Sequence, residues 1–446
     1  MILELDQGAT AWLLTSAALV LVMTPGVAFF YGGMVRAKGV LNMMMMSFIA
    51  MGTVGVLWVF YGYSMAFGTD LFGGLLGNPL EHAGLYDLLL NDGTAGEDGS
   101  AYPALAFVGF QAGFAIITVA LISGAIADRV KFGAWTVFTV IWATLVYFPI
   151  AHWVWAADGW AFKLGVIDFA GGTAIHINAG AAALALALVI GPRIGFGTKP
   201  MRPHNMTLVM LGAALLWFGW FGFNAGSAVA ADGRASLAWV NTLVATSAAM
   251  LAWLIVEKLR DGHATSLGAA SGVVAGLVAI TPAAGAVDPM GAIAIGAVAG
   301  VGCAFAVGLK YKWGYDDSLD VVGVHMVGGV IGTLLIGFLA TPAASGDPES
   351  PSVAGVFYGG SFDQLGIQAI GAFSSMAYSF VVTLLIALAI KYTLGWRVSA
   401  AEELSGIDLA EHSEGGYDLS PVYYTNKVQR TLVLTKDDLA ETGASK

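Results

Sequence analysis

The sequence predicts an all-α polytopic membrane protein, with eleven transmembrane helices arranged as an inverted five-plus-five repeat plus one extra helix. Three observations carry this. First, of 446 residues 57% are hydrophobic and only 11% charged, with a mean hydropathy of +0.77; a soluble domain of this size carries about a quarter charged residues. Second, eleven apolar runs are each long enough to cross a hydrocarbon layer of about 30 Å. Third, the basic residues alternate sharply between successive connections.

The runs lie near 9–31, 40–66, 104–127, 132–153, 170–191, 206–230, 236–256, 264–284, 290–309, 321–341 and 366–393. The first follows an acidic, not basic, start ("MILELDQG") and is too long for a signal-peptide core, so it counts as a span. Pro25 predicts a kink in it. One set of connections holds thirteen basic residues, among them Arg36, Arg129, Arg193, Lys258, Lys310 and Arg397, and the other holds only Lys163 and Arg234. The positive-inside rule then places the N-terminus outside and the C-terminus in the cytoplasm, consistent with an odd number of spans in the plasma (inner) membrane. The 67–103 connection, with "NDGTAGEDGSAYP", reads as a mobile acidic surface loop. Residues 1–395 form the transmembrane domain and 396–446 a cytoplasmic tail, marked by a shift to charged and polar composition. The net charge of −11 gives nucleic-acid binding no support. The lone cysteine, Cys303, permits no intrachain disulfide and reads as a small packing residue.

Polar residues inside the spans carry the functional signal. His176 follows Asp168 in the fifth run and His325 follows Asp320 in the tenth. With an outside N-terminus these runs cross in opposite directions, the relation of an inverted repeat. At about 1.5 Å per residue, His176 lies roughly 12 Å inward of Asp168 and His325 roughly 8 Å outward of Asp320, so the two rings meet near the bilayer middle. Ionisable groups inside spans face an interior or a water path. A pathway is one reading of the pair; helix-packing hydrogen bonds or haem ligation are the others. Two histidines alone make a poor metal site, and no metal or other cofactor is expected. Aromatic residues cluster nearby: Phe107, Phe110 and Phe114 in run three, Trp153, Trp155 and Trp160 at the outer end of run four, and Trp217, Trp220, Phe223, Asn224 and Ser227 in run six. Singly each reads as an interfacial anchor or core residue; together, ring faces and a hydroxyl are what a small cation needs. Close glycines, as in "HMVGGVIG", let helices approach and carry no substrate information.

The stretches "FFYGGMVR", "PIAHWVW", "DFAGGTAIHINAG", "GWFGFNAGS" and "GVHMVGG", in this order, resemble the ammonium transporter family (Amt/Mep/Rh), over about Met23 to Tyr417. The resemblance implies a transporter, not an enzyme: a homotrimer of eleven-helix protomers, each with its own hydrophobic pore for ammonium or ammonia and, as an analogue, methylammonium. It implies an outer recruitment site of Trp155, Ser227 and Phe114 with Phe110 nearby and Asp168 beneath. It implies a gate of stacked Phe114 and Phe223, Trp220 in the pore wall, and a proton relay through His176 and His325. Trp155 with Ser227 resembles the Amt branch. The tail stretch "GIDLAEHSEGGY" resembles the family's regulatory motif, with Ile407 for a usual Leu and Ser413 for a usual Gly, and implies contact with the cytoplasmic loops and a PII-type signal protein. An ammonium sensor signalling through a cytoplasmic partner is the alternative. Chemically, a dry pore penalises any bare cation; ammonium, unlike potassium, can shed a proton to imidazoles that titrate near neutrality.

Overall fold

The computed structural model describes residues 5–90, 102–345 and 353–417. Its described residues form helices and turns, with isolated β-bridges at three places. Among the described residues, ten helices are long and apolar enough to cross a membrane: α1 (Gln7–Met34), α2 (Ala37–Phe67), α3 (Ala104–Ile126), α4 (Phe132–Leu164), α5 (Gly172–Ile190), α6 (Met206–Ala228), α7 (Gly233–Asp261), α9 (Pro289–Trp313), α10 (Val322–Leu339) and α11 (Asp363–Thr393). Between α7 and α9 lies α8 (Ser266–Ile280), apolar but only 15 residues long. The sequence predicts a full span over 264–284. Instead the helix stops at Ile280, because Pro282 cannot continue the hydrogen-bond ladder, and turns follow. The tail adds α12 (Ala400–Ser405) and α13 (Ile407–His412).

Each long helix is apolar all round, so burial is decided by neighbours rather than by one stripe. The pairing is repeated along the chain: α1 packs on α2 and α3 as α6 packs on α7 and α8, and α3 meets α5 as α8 meets α10. The two halves join through α1 against α6 and α5 against α10. Small residues set the close approaches. Gly296 and Gly300 of α9 face the carbonyls of Ala245 and Ala249 of α7, where a Cβ would collide with backbone. Cys303 is fully buried with its thiol near the Val324 carbonyl, as a packing residue should be.

Buried polar residues stitch one end of the bundle. Arg129, fully buried between α3 and α4, uses all five guanidinium donors: on the carbonyls of Gly191, Ala127, Ala125 and Asp316 and on the Ser318 hydroxyl. Burial lowers its pKa to about 10. Arg193 grips both Asp316 oxygens, at 2.9 and 2.8 Å. Burial pushes the Asp316 carboxyl up, Arg193 and Arg129 pull it down further, and it rests below the ordinary range.

The tail from Trp396 to Tyr417 is folded against this face. A capping box formed by Ser399 and Glu402 starts α12. Buried Glu403 accepts from the Ile194 N–H and from Arg397, both at 2.6 Å. Asp408 accepts the Leu41 and Asn42 N–H groups, at 3.0 and 2.8 Å, and so caps the first turn of α2. Glu411 does the same for Phe132 at the start of α4, at 2.8 Å. Ser413 ends α13 with φ 56°, a left-handed turn that Gly adopts most readily. The extension after Tyr417 and the "NDGTAGEDGSA" part of the outer loop lie outside the described residues.

Candidate functional site

The two histidines meet at the start of helices that enter the bundle from opposite ends. Both sit in wide π-helical turns, Gly172–Ile177 and Val322–Met326, whose extra residue per turn re-aims side chains. Both are anchored by a carboxylate eight residues earlier. Asp168 accepts the N–H groups of Gly171, Gly172, Thr173 and Ala174, at 2.6–3.0 Å. Asp317 accepts those of Val321 and Val322, at 3.1 and 2.7 Å. Sequence reasoning paired Asp168 with Asp320. The structure corrects this: Asp317 is the counterpart, while Asp320, at φ 64°, pairs with Lys310 at 2.6 Å. The signal was present as an equal Asp-to-His spacing of eight in both halves, hidden by the nearer aspartate.

His176 Nδ1 lies 3.2 Å from His325 Nδ1, with the rings stacked at 5.3 Å and 20°. A hydrogen bond between these two nitrogens needs a proton on one and a lone pair on the other, so the pair is asymmetric at any instant. Both residues are buried, and His176 Nε2 has no hydrogen-bond partner. An orphaned ring nitrogen in an apolar wall is costly unless something visits it.

The wall above is aromatic. Trp220 stacks on His176 at 5.3 Å and 17°, held by its Nε1 donating to Thr281 at 2.8 Å. Phe223, one turn on, stacks on Phe114 at 4.3 Å and 23°. Both phenylalanine rings are buried, and Phe223 lies 6.2 Å from the His176 ring. On the far side of this stack, Trp155 packs edge-on against Phe114 at 5.9 Å, and Phe110 against it at 4.7 Å. Trp155 is fixed by Nε1 donating to the Asp168 carbonyl at 2.9 Å. The Ser227 hydroxyl donates to the Phe223 carbonyl at 2.8 Å, leaving its lone pairs as acceptors. Thus the structure brings seven of the nine expected site side chains into one file: Trp155, Phe110, Phe114, Phe223, Trp220, His176 and His325; Ser227 stands one turn beyond Phe223, its hydroxyl bonded to its own helix. Asp168 differs: its carboxylate is spent on four backbone N–H groups, so it stands behind the file as a helix cap.

A small cavity opens on the other side of the pair, lined by Phe30, Tyr31, Ser271, Leu319, Asp320 and His325. Sequence reasoning missed this lining because its residues come from three separate segments.

The model of the Ammonium Transporter Family matches residues 11–417. An "Ammonium transporter" of Mycobacterium tuberculosis is 58% identical over 438 residues, covering 93% of this chain and 91% of that protein. One of Aquifex aeolicus is 48% identical, covering 93% and 95%. Among solved structures, Candida albicans Mep2 superposes with a TM-score of 0.84 at 34% identity, covering 95% of each chain. A "Sensor Amt Protein" superposes at 0.82 and 30%, covering 91% of this chain and 98% of that one. With a family model over nearly the whole length, relatives named as transporters rather than enzymes, and a shared fold, this chain belongs to the ammonium transporter family.

Proposed function

We propose that the file from Trp155 to His325 is a pore carrying ammonium nitrogen across the membrane, with methylammonium as an analogue. The observation that carries this is the orphaned His176 nitrogen, next to the Phe114–Phe223 stack, its ring hydrogen-bonded on the other side to His325. Trp155, Phe110, Phe114 and the Ser227 hydroxyl recruit the cation through ring faces and a lone pair. The proton leaves it at the gate, because a bare charge crossing the dry segment costs far more than a neutral molecule. The imidazole pair then hydrogen-bonds ammonia and passes protons. Asp168 contributes its field from behind Trp155 and orients the start of α5. No cofactor takes part in this scheme.

Current recorded on a supported membrane, with ammonium and potassium compared for equal amounts of folded protein, tests the relay. His176→Ala and His325→Ala lose ammonium specificity, by losing current or by admitting potassium. His176→Asp, which keeps a titratable group, retains part of the conduction. Normal ammonium current with potassium excluded in both Ala variants leaves the histidines as packing residues.

In the same reading α8 with its following turns supplies the eleventh crossing, the working unit is a homotrimer in the plasma membrane, and the N-terminus faces outside. An impermeant thiol reagent applied to intact cells labels Asp158→Cys and spares Glu414→Cys, both in a Cys303→Ala background; the reverse pattern inverts the orientation. The 396–417 tail, whose carboxylates cap α2 and α4, supports a regulatory role in which a PII-type protein engages the cytoplasmic face. The sensor reading gains from the likeness to a sensor protein and from this docked tail; it is tested by the same current measurement, since a pure sensor carries none.

A further inference from the structure

We propose that His152 and Asp70 form a proton-holding clasp on the outer face that positions Trp155, making cation recruitment depend on external pH. The inference rests on Trp155 being the recruiting ring, and adds two positioning residues and a regulation to that site.

His152 lies in the last turn of the Phe148–Trp155 segment of α4 and is fully buried. Both of its nitrogens face acceptors. Nδ1 is 3.0 Å from the Ala66 carbonyl at the end of α2, and Nε2 is 3.3 Å from Asp70 Oδ1. A carbonyl only accepts, so Nδ1 carries hydrogen. In a neutral ring Nε2 would then present a lone pair to a carboxylate oxygen, an arrangement that repels. The contact is an ion pair by distance, with Nε2 out of line for a hydrogen bond, and is attractive only if the ring carries a second proton. Reversing the ring would turn C–H groups to both oxygens, so its orientation is fixed by the same two partners.

Asp70 is built to stay charged. Partial burial pushes its carboxyl up, the N–H groups of Gly74, Phe72 and Gly73 together with His152 pull it down further, and it rests below the ordinary range. Other titratable groups around the clasp are engaged elsewhere. Glu81 holds the Thr69 N–H and hydroxyl, His82 pairs with Asp87, Lys163 with Asp158, and Asp168 caps α5. Asp70 is thus the charged side chain in contact with His152.

The clasp bears on Trp155 because the loop carrying Asp70 grips the end of this helix at three points. Besides His152 against Asp70, Trp153 Nε1 donates to the Leu75 carbonyl at 2.8 Å, and the Trp160 N–H to the Gly74 carbonyl at 3.1 Å. The His152 carbonyl accepts from the Ala156 N–H at 3.2 Å, closing the turn on which Trp155 stands. Loss of the ring's second proton sets a lone pair against the carboxylate and loosens the loop, the turn and the ring together. The residues next to Asp70, Leu71 and Phe72, are exposed, so outside protons reach the clasp.

The test is initial-rate uptake of labelled methylammonium by proteoliposomes of the full chain, with external pH stepped across neutrality, from about 6 to about 8.5, and internal pH held constant. An alkylammonium, with a pKa near the roughly 10.4 of lysine, stays protonated throughout. In the wild type KM rises about threefold with pH, the scale of a partly exposed charged pair, while the maximal rate at saturation moves less. Asp70→Asn, in a partly exposed loop, leaves KM flat and high. His152→Gln, which keeps a donor for Ala66, does the same. A wild-type KM that ignores external pH, or an Asp70→Asn protein that keeps the wild-type profile, overturns the clasp. Trp155→Leu separates this failure from failure of the recruitment reading: it raises KM at both pH values if Trp155 recruits, whatever the clasp does, and an unchanged KM removes both.

Discussion

Two buried polar regions of the bundle are built on opposite terms. Around Arg129 every donor has a partner: five N–H groups meet five acceptors, and Asp316 is held by Arg193 and the backbone. Around His176 the polar atoms are left short: Nε2 has no partner, and its neighbours are rings. A fully satisfied cluster fixes the positions of helix ends and gains nothing from a visitor. An under-satisfied one, walled by apolar rings, is stable only because it is small, and it offers its free valence to whatever small hydrogen-bonding molecule enters. In the proposed pore the His176 cluster is thus set apart from the Arg129 cluster by an unmade bond rather than by residue type.

The sharpest way to break this comparison is to exchange the consequences. Arg129→Met leaves four carbonyls and a hydroxyl without a donor in a buried site; losing one partner of such a network costs about 3–5 kcal/mol. The expected outcome is loss of folded protein, read as the monodisperse yield after detergent extraction. His325→Ala, by contrast, is expected to give near-normal yield with altered ammonium-to-potassium current. Equal yields for both would erase the distinction.

A second test compares the two aspartate caps. Asp168→Asn keeps shape but removes the charge facing four N–H groups, and Asp317→Asn does so for two. Helix caps contribute about 0.5–2 kcal/mol each, so Asp168→Asn is expected to lower the thermal midpoint more than Asp317→Asn. Only Asp168→Asn is expected to weaken recruitment as well, since its backbone carbonyl holds Trp155. Identical behaviour of the two would deny them separate roles.

Next in size is the recruiting ring. A partly desolvated cation–π contact contributes on the order of 1–2 kcal/mol, so Trp155→Leu is expected to raise the half-saturating ammonium concentration by about one order of magnitude with folding intact. Unchanged half-saturation and selectivity would make Trp155 an interfacial anchor.

The smallest effect concerns the tail. Asp408 and Glu411 lend charge to the starts of α2 and α4, each worth about 0.3–1 kcal/mol. The double variant Asp408→Asn with Glu411→Gln is expected to expose the segment after Trp396 to limited proteolysis and to lower transport, without changing membrane insertion. Wild-type transport with a cleavable tail would separate docking from regulation.

Much of this was legible in the residues. Hydrophobic runs fix helices because a bilayer leaves the backbone no other partner, and basic asymmetry is a property of composition alone. The histidines stood out because ionisable groups are expensive in such runs. The boundary of α8 was misread because hydropathy continues past Ile280 while Pro282 ends the ladder. Asp317 was passed over because sequence distance favoured Asp320, and only the N–H directions of the first turn of α10 show which carboxylate caps it. His152, among tryptophans in an apolar run, gave no sign of its partners at Ala66 and Asp70.

The sequence by itself determined the fold class, the number of apolar segments to within the short α8, the family, and the residue types of the file. Tertiary structure decided which polar atoms are satisfied. Hydrophobic burial adds along the chain and can be summed from local composition, whereas a hydrogen bond depends on the direction and position of two groups that fold together from distant places. The orphaned nitrogen of His176, the five-fold satisfaction of Arg129 and the approach of His152 to Asp70 all belong to that second kind of fact.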